Sequence, residues 1–413
     1  MSSVTLLNTL DTGGAGVAAR RLLAALRLHG TEAHLLVQER NGLAQDGLVP
    51  LAFTPGERRL ALARFAAERA AWWLHERDAS VRWAFSPAPI GADLAKHPLV
   101  RQADVLHLHW TNFGFLSLGG LEKLLRLGKP VVWTLHDQWA FTGGCHYSRD
   151  CERFKTHCQR CPFLHRPGDR DLSFRIFEKK RRIFENAPLT VVACSEWLAG
   201  EARQSALLGG FPIQSIPNPI ATTVWQPTDR LAARQTLGLP LDKKLVLFGA
   251  GNLRDERKGF RLLVEAMGGL SGAELVVFGK ADPAVLTGLP FPVHYLGVLS
   301  SESGLIAAYN AADALAVPSL EDNLPNTIVE ALACGTPVVA FATGGIPEMI
   351  HHRQTGYLAP PRDVTALREG LRWALFAENP EIVREAGRAF ALKNYAETVV
   401  ANRYFELYHS VEW

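Results

Sequence analysis

Short, uninterrupted apolar runs recur along the whole chain and alternate with longer amphipathic stretches. Apolar runs of about four to eight residues are typical of strands buried on both faces of a parallel sheet, and the stretches between them have the apolar period of crossover helices. The runs lie at 4–8, 33–37, 103–109, 130–137, 189–193 and 212–216, then at 245–249, 274–279, 293–296 and 314–317, with one more directly after Pro337. This pattern predicts an α/β protein with one parallel sheet in each half of the chain.

The segment 317–340, VPSLEDNLPNTIVEALACGTPVVA, carries the clearest candidate chemistry. A loop of acidic, proline and asparagine residues follows a strand and leads into a helix that is predicted to begin near Thr327. Because this loop lies at the carboxyl end of a parallel strand, and the first turn of a helix has unbonded backbone N–H groups, the segment favours a bound phosphate. Glu330 lies about one turn inside the helix, where its carboxylate can accept hydrogen bonds from two hydroxyl groups.

This segment resembles the donor-binding signature of retaining glycosyltransferases of family 4, in which two carboxylates eight residues apart precede A-x-x-C-G-x-P-V-V. Glu330 matches the second carboxylate, which in that family holds the ribose of a nucleotide sugar. Asp322, with Glu321 just before it, matches the first carboxylate, which contacts the donor sugar. An ordinary βαβ crossover with solvated acids is the alternative interpretation.

Backbone amides at the start of the same helix are the expected phosphate donors. Pro325 has no N–H group to offer. The amides of Asn326, Thr327 and Ile328 therefore take that role in the prediction.

The resemblance extends over essentially the whole chain and implies the GT-B architecture, two facing Rossmann-like domains with a central cleft. The irregular Pro-Asn-Pro-Ile at 217–220 matches the place where the family passes from one domain to the other. We therefore expect an acceptor-side domain at 1–217, with a cysteine-rich insert at 139–170, and a nucleotide-sugar-binding domain at 218–394. By the same resemblance, a C-terminal helix at 395–413 packs back on the first domain.

The loop after strand 245–249, GAGNLRDERKGF, corresponds to the family's diphosphate-binding loop, which carries an arginine and a lysine six residues apart. Lys258, followed by Gly259, matches the lysine. Asn252 stands in the place of the arginine, so Arg254 or Arg257 is expected to supply the missing charge. A cation here would neutralise the diphosphate of the donor.

Candidate residues of the first half lie at the ends of its predicted strands. Gly13 and Gly14 follow the first strand, where the family has a Gly-Gly loop that faces the donor phosphates or the acceptor; a turn that only closes βα packing is the alternative. His136 matches a family histidine that contacts the donor sugar, and Asp137 would orient an imidazole or meet the acceptor hydroxyl. His109 is expected on the acceptor side, with a purely structural role as the alternative.

Four cysteines fall in a short, otherwise irregular stretch with the spacing C-x5-C-x6-C-x2-C: Cys145, Cys151, Cys158 and Cys161. This count suits a closed tetrahedral zinc site, and a structural zinc is our first interpretation. Disulfide-bonded or redox-sensitive cysteines and free thiols are the alternatives. The preceding pattern T-L-H-D-x-W-x-x-T-G resembles a narrower group, the bacterial exopolysaccharide (colanic-acid-like) glycosyltransferases, which implies a glycan or lipid-linked oligosaccharide acceptor.

Two basic amphipathic stretches, 57–83 and 172–187, have aromatic and aliphatic residues at helical spacing. Each can lie on an anionic membrane surface or pack on the protein with its charges in water. We favour packing on the protein for both stretches.

Composition limits the class of protein without selecting a function. With 413 residues, 47% hydrophobic and 21% charged, the chain is typical of globular proteins with two domains. A net charge of +3 and the lack of any recognition motif give no reason to expect a nucleic-acid partner. Neither a signal peptide nor a membrane span is predicted, so we expect a cytoplasmic protein, at most peripheral on the inner face of the cytoplasmic membrane.

The sequence thus predicts a retaining glycosyltransferase that uses a nucleotide-diphosphate sugar and needs no cofactor for catalysis. The residues expected to act on the reacting groups are His136, Asp137, Lys258 and Asp322. A nucleotide-sugar epimerase, a non-catalytic nucleotide- or glycan-binding protein, and a zinc-dependent regulatory protein are the alternatives.

Overall fold

The computed structural model describes residues 3–42 and 44–411 of the chain. By its internal contacts the chain divides into two units, Met1–Pro217 with Val400–Trp413, and Asn218–Val399. Each unit contains one parallel sheet with helices, which confirms the predicted α/β fold class. No helix within the described residues combines the length and the apolar character needed to cross a lipid bilayer.

The first unit is built on a seven-stranded parallel sheet. Its strands are β1 (Ser3–Leu7), β2 (Glu32–Val37), β3 (Leu48–Pro50), β4 (Val105–Leu108), β5 (Val131–Leu135), β6 (Leu189–Ala193) and β7 (Ile213–Ser215). Their order across the sheet is β3-β2-β1-β4-β5-β6-β7. Because β1, β4 and β5 are neighbours, the residues that follow them meet at one edge of the sheet.

The helices of the first half are α1 (Gly13–Leu28), α2 (Pro55–Trp73), α3 (Pro98–Gln102), α4 (Leu118–Leu125), α5 (Leu172–Phe184) and α6 (Glu196–Gln204). The helix expected at 57–83 is therefore shorter than predicted. It begins with a capping box between Thr54 and Glu57 and ends at Trp73, after which the chain turns so that Glu76 bridges Leu164.

The second unit is built on a six-stranded parallel sheet. Its strands are β8 (Lys244–Asn252), β9 (Ala273–Lys280), β10 (Val293–Tyr295), β11 (Ala314–Val317), β12 (Val338–Phe341) and β13 (Gly356–Ala359), in the order β10-β9-β8-β11-β12-β13. The helices that follow β7 are α7 (Arg230–Leu237), α8 (Phe260–Met267), α9 (Pro283–Leu286), α10 (Glu302–Ala311), α11 (Asn326–Ala333), α12 (Val364–Leu375), α13 (Pro380–Tyr395) and α14 (Glu397–Val411). Strands β8 and β11 are neighbours, so the loops after them are also neighbours.

Hydrogen bonds join α14 to the centre of the first sheet. Tyr408 bonds His107 Nδ1 at 2.7 Å, and Tyr404 bonds the Thr134 hydroxyl at 2.8 Å. His107 Nε2 meets the same hydroxyl at 2.7 Å. All four side chains are buried, so this polar chain fixes the last helix against β4 and β5.

The basic stretch 172–187 packs its apolar residues inside the first unit. The apolar residues of α5 that are buried are Ile176, Phe177, Ile183 and Phe184. Lys180 is buried too, and its ammonium donates to the carbonyl oxygens of Trp139 and Thr142. Burial lowers the pKa of Lys180 to about 7.

Candidate functional site

Two loops at the carboxyl edge of the second sheet are held together by their backbones. The amide of Leu320, in the loop after β11, donates to the carbonyl of Arg257, in the loop after β8, at 2.7 Å. Gly259 has a φ of +70°, and a Cβ placed there would lie 1.9 Å from the Pro318 carbonyl oxygen. Glycine is therefore required at this position for both conformation and space.

The contact between these loops places Lys258 on Asp322. The lysine Nζ lies 2.6 Å from Asp322 Oδ2, and the Ser319 hydroxyl donates to the same oxygen at 3.2 Å. Asp322 is buried, whereas Lys258 and the preceding acid Glu321 are half-buried. Two residues that the sequence placed in the site separately thus form one ion pair.

Helix α11 begins four residues after Asp322, and its first turn is already partly bonded. Asn326 Oδ1 accepts a hydrogen bond from Asn218 Nδ2 at 3.1 Å. The amide of Ile328 donates to the carbonyl of Pro325 at 3.0 Å. Of the three amides predicted for phosphate binding, that of Ile328 can therefore bind a phosphate only by sharing its hydrogen with the Pro325 carbonyl. Thr327, between the other two, is half-buried.

Glu330 is buried one turn into α11. Its Oε2 accepts a hydrogen bond from the hydroxyl of Tyr309 at 2.7 Å. The Thr336 hydroxyl bonds the Tyr309 carbonyl at 2.8 Å, so the tyrosine is fixed at both its backbone and its hydroxyl. The Glu330 carboxylate is consequently held in one position.

The arginines expected to replace the missing charge at Asn252 already have carboxylate partners. Arg254 pairs with Asp282, and Arg257 pairs with Asp255 at 2.7 Å. Asn252 Oδ1 accepts the amide of Arg254 at 2.9 Å and so shapes the turn after β8. In this arrangement the lysine is the basic residue of the loop that reaches the Asp322 carboxylate.

Gly13 and Gly14 begin α1 at the carboxyl end of β1. Gly13 has a φ of +73°, and a Cβ there would meet no atom within 4 Å. The backbone conformation therefore requires glycine at 13, whereas the available space does not. Both residues are exposed.

His109 and His136 meet at the ends of β4 and β5. His109 Nδ1 lies 2.9 Å from His136 Nε2, and the Cys194 thiol lies 3.7 Å from His136 Nδ1. Burial lowers the pKa of His136 to about 4 and the pKa of His109 well below its usual value. Both rings are therefore neutral near pH 7, and one N–H group is shared between them.

Asp137 is held by three donors that include residues the sequence did not single out. His146 Nδ1 and Trp110 Nε1 donate to Oδ2 at 2.7 and 2.8 Å, and the Trp139 amide donates to Oδ1 at 2.8 Å. Burial by itself raises the pKa of this carboxyl, but His146 and the other donors outweigh it and lower the pKa overall. Asp137 is thus an ionised carboxylate at neutral pH.

His146 in turn is oriented by Ser86, whose hydroxyl lies 3.1 Å from His146 Nε2. Both side chains are buried. His146 directly follows Cys145 in the irregular insert. The sequence signal that could have identified it is a histidine in an insert that begins just after Asp137, at the end of a strand. The insert therefore supports Asp137 through a histidine.

The four cysteines of the insert line one cavity of about 20 Å³. None of them forms a disulfide, and Cys158 Sγ accepts the amide of Gly143 at 3.1 Å. Burial raises the pKa of Cys145, Cys158 and Cys161, so these thiols stay protonated unless a cation displaces their protons. Within the described residues no group of three or more His, Cys, Asp or Glu is arranged to hold a metal ion, and the zinc site stays a prediction.

Metal analysis of the purified protein tests that prediction. We expect about one zinc per chain, because four thiolates complete a tetrahedral shell, and we expect its loss in Cys158→Ser/Cys161→Ser. Cys334→Ser, which changes a buried cysteine of the second unit, serves as the matched control and should keep the metal. Wild-type protein that is purified without chelators and contains no zinc would rule out the site.

Two family models match the chain. The model described as Glycosyltransferase Family 4 matches residues 12–224, and the model described as Glycosyl transferases group 1 matches residues 243–376. The first range contains His136 and Asp137, and the second contains Lys258, Asp322 and Glu330.

Curated relatives match over part of their length. The Putative colanic acid biosynthesis glycosyl transferase WcaC of Escherichia coli (strain K12) is 31% identical over 265 residues, which are 61% of this chain and 62% of that protein. The D-inositol 3-phosphate glycosyltransferase of Mycobacterium tuberculosis (strain ATCC 25177 / H37Ra) is 34% identical over 178 residues, 40% of this chain and 37% of that protein. In both cases the match spans less than two thirds of the relative.

Solved structures match over nearly the whole chain at low identity. Sucrose-phosphate synthase from Thermosynechococcus elongatus has a TM-score of 0.71 and 19% identity, with 100% of this chain and 99% of that chain covered. Anabaena HepE in complex with UDP-glucose has a TM-score of 0.65 and 15% identity, with 99% of this chain and 100% of that chain covered. At this level of identity the likeness establishes the fold alone.

Proposed function

The chain belongs to glycosyltransferase family 4 and has the GT-B fold, and we propose that it is a retaining glycosyltransferase. In this proposal it moves a sugar from a nucleotide-diphosphate sugar to a glycan or lipid-linked oligosaccharide. The observation that carries the proposal is the contact of 2.6 Å between Lys258 and Asp322, just before helix α11. A cation, a carboxylate and a helix N-terminus together suit a sugar joined to a diphosphate.

We assign the diphosphate to Lys258. A bound diphosphate attracts the ammonium more strongly than one carboxylate does, because it carries more charge. As Lys258 turns to the phosphate, Asp322 loses its cationic partner and can accept hydrogen bonds from hydroxyls of the donor sugar. The ion pair thereby holds both groups in place without leaving either charge unpaired.

Glu330 is assigned to the ribose. Its carboxylate is buried and fixed by Tyr309, so binding the ribose hydroxyls costs little further side-chain freedom. Hydrogen bonds to a charged acceptor are worth about 1.5–3 kcal/mol each.

Transfer with retention follows from a front-face mechanism. The bond between the sugar C1 and the diphosphate oxygen breaks, and its electron pair passes to that oxygen. The acceptor oxygen forms the new bond to C1 on the same face, and its proton passes to the leaving diphosphate. Lys258 and the Thr327 amide stabilise the negative charge that grows on the diphosphate, an effect specific to the transition state.

The assignment of the proton to the diphosphate is supported by the state of Asp137. A carboxylate whose pKa is lowered by three donors is a weak base, so it suits positioning better than proton abstraction. His136, neutral and bonded to His109, is assigned to a hydroxyl of the donor sugar. The roles of His109 in acceptor binding and of Gly13 and Gly14 in donor binding stay predictions.

A donor screen tests the proposal. UDP-, GDP- and ADP-sugars are offered with and without glycan acceptors, and release of nucleoside diphosphate is measured together with the anomeric configuration of the product by NMR. We expect release that depends on the acceptor and a product with the configuration of the donor. An inverted product contradicts retention, and conversion of the donor to its epimer favours the epimerase alternative.

A further inference from the structure

A cavity of about 560 Å³ lies at the amino edge of the second sheet, opposite to the edge where the loops carry Lys258 and Asp322. Asp313, just before β11, and Lys244, the first residue of β8, line it together with the first turns of α7 and α13. All the residues that line it belong to the second unit. A cavity of this size suits a small organic molecule.

Arg384, in the first half of α13, is the residue of this cavity that points to a ligand. Its side chain is only 11% exposed, and among the described residues its guanidinium forms no hydrogen bond. Its ion-pair partner Glu381 is 3.8 Å away, beyond hydrogen-bond distance, and is itself 68% exposed. Burial and the nearby charge of Arg230 lower the pKa of Arg384. A guanidinium has five N–H donors, so this largely buried one lacks its acceptors.

Two neighbouring arginines show what a guanidinium obtains elsewhere in this part of the fold. Arg388, one turn further along α13, donates to backbone carbonyl oxygens at 2.6, 2.7 and 2.8 Å. Arg234, which also lines the cavity, donates to Asp313 at 2.7 Å and to four backbone carbonyl oxygens. The open donors are therefore a property of Arg384 and not of the packing around α13.

The buried acid of this cavity is already satisfied. Asp313 accepts hydrogen bonds from Arg230 at 2.9 Å, from Arg234 at 2.7 Å and from the Leu245 amide at 2.8 Å. Asp229 caps α7 by accepting a backbone amide of the first turn at 2.7 Å. Neither carboxylate consequently provides a free acceptor for Arg384.

The remaining cations of the cavity are loosely paired. Lys243 lies 3.6 Å from Asp242, and Lys244 lies 3.9 Å from Asp313. Asp242 is 78% exposed, so water solvates its charge. Hydrogen-bond donors that lack close partners thus outnumber the acceptors that lack them, and such a cavity favours an anion.

We propose that this cavity binds a small phosphate monoester, whose phosphate is held by Arg384 with Lys244 beside it. A planar guanidinium matches the geometry of phosphate oxygens. Leu231 and Leu241, which are 52% and 47% exposed, also line the cavity and pack against the organic part of the ester. The site uses none of the residues assigned to the donor, so it does not depend on the proposed function.

Direct binding to the full chain tests the proposal. Glucose 1-phosphate and AMP serve as probes, because they carry the same phosphate monoester on a sugar and on a nucleoside, and calorimetry measures their affinities beside that of inorganic phosphate. We expect at least one ester to bind about tenfold more tightly than inorganic phosphate, because the cavity also contacts the organic part. Binding of neither ester, or no preference over inorganic phosphate, would overturn the proposal.

Arg384→Met tests the residue itself, since methionine keeps an unbranched chain but has no N–H donor. We expect the affinity for the tighter ester to fall about tenfold. The melting temperature without ester should not fall, because the guanidinium that is removed makes no hydrogen bond. Lys393→Met is the matched control, because it removes an exposed positive charge from the same helix outside the cavity. Equal ester affinities of Arg384→Met and Lys393→Met would overturn the site.

Lys258→Ala separates this cavity from the proposed donor site, which also attracts phosphate. Ester binding should persist in Lys258→Ala and weaken in Arg384→Met, whereas UDP and GDP binding should show the opposite pattern. Ester binding that is lost in Lys258→Ala and kept in Arg384→Met would move the ester to the donor site and overturn the cavity. Ester binding that depends on Arg384, in a protein that binds no nucleoside diphosphate, would keep the cavity and reject the transferase.

Discussion

The Lys258→Ala variant is expected to transfer sugar about 10²–10³ times more slowly than the wild type, while its affinity for the nucleoside diphosphate falls only about tenfold. The difference arises because the charge on the diphosphate grows as the bond to the sugar breaks. Lys258 therefore interacts more strongly with the transition state than with the bound donor. Single-turnover rates and calorimetric dissociation constants measure the two effects separately, and Lys258→Arg should keep part of both.

Asp322→Asn is the matched control, because it changes the other member of the same ion pair. Without the carboxylate, the lysine charge is no longer neutralised before the donor binds, so nucleoside diphosphate should bind more tightly. Transfer should nevertheless fall, since the contact assigned to the donor sugar is weakened. Equal losses of affinity and rate in Lys258→Ala would show that the lysine only binds the donor. Weaker nucleoside diphosphate binding in Asp322→Asn would contradict the proposal that Lys258 exchanges Asp322 for the diphosphate.

Removal of the lysine also leaves Asp322 as a buried carboxylate bonded to the Ser319 hydroxyl. A buried charge that loses its counter-charge destabilises the fold, so the melting temperature of Lys258→Ala must be measured beside its activity. The double variant Lys258→Ala/Asp322→Asn removes both charges and should recover stability without recovering transfer. This comparison separates a loss of folding from a loss of chemistry.

The fold was predictable because its signals are local. Parallel strands buried on both faces appear as apolar runs whatever they pack against, and glycine and proline mark their ends. The strands that the pattern did not predict, β3 and β13, are a short edge strand that ends in Pro50 and a strand that begins with Gly356. Their pairing with β2 and β12 is supplied by the rest of the sheet and not by their own composition.

Partners of charged side chains could not be predicted, because they depend on residues distant in the chain. Lys258 and Asp322 were both named, but their mutual contact spans 64 positions. Arg254 was named as a replacement charge, yet Asp282, which pairs with it, carries no motif. Lys180 sits in a basic run that resembles a solvated face, and only the packing of α5 shows that carbonyl oxygens surround it.

The surroundings of the two amphipathic helices, α2 and α5, could not be predicted from the sequence either. Both have helical spacing and basic residues, so their patterns permit the same interpretations. The structure buries the apolar face of α5 in the first unit, whereas it exposes Leu62 and Trp73 of α2. Whether the apolar face of a helix is buried depends on the tertiary structure, and the sequence pattern of that helix alone does not predict it.

Acid is expected to unfold the first unit cooperatively between about pH 6 and pH 4, because three buried histidines must stay neutral in the fold. Burial lowers the pKa of His107 to about 3, that of His136 to about 4, and that of His109 well below its usual value. In the unfolded chain each imidazole has a pKa of about 6.5. Below that pH the unfolded state binds more protons than the folded state, so this stability is complete above pH 6.5 and is lost as pH falls.

The geometry explains why protonation is incompatible with the fold. His107 lies between the hydroxyls of Tyr408 and Thr134, and His109 shares one hydrogen with His136 across 2.9 Å. A further proton on either ring would place a positive charge in a buried site, where the loss of solvation penalises it. Three linked protons would change the free energy of unfolding by up to about 4 kcal/mol per pH unit.

Urea unfolding of the wild type from pH 7.5 to pH 4.5 measures this slope. His107→Gln can keep the hydrogen bonds to α14 and β5 without an ionisable ring, and it should reduce the slope by about one proton. Tyr404→Phe is the matched control, because it removes a hydroxyl from the same network but no histidine, so it should lower stability at every pH and leave the slope unchanged. A wild-type slope of less than one proton would mean that the three rings are hydrated or charged in solution, and the description of a neutral, buried network that joins α14 to the sheet would then be wrong.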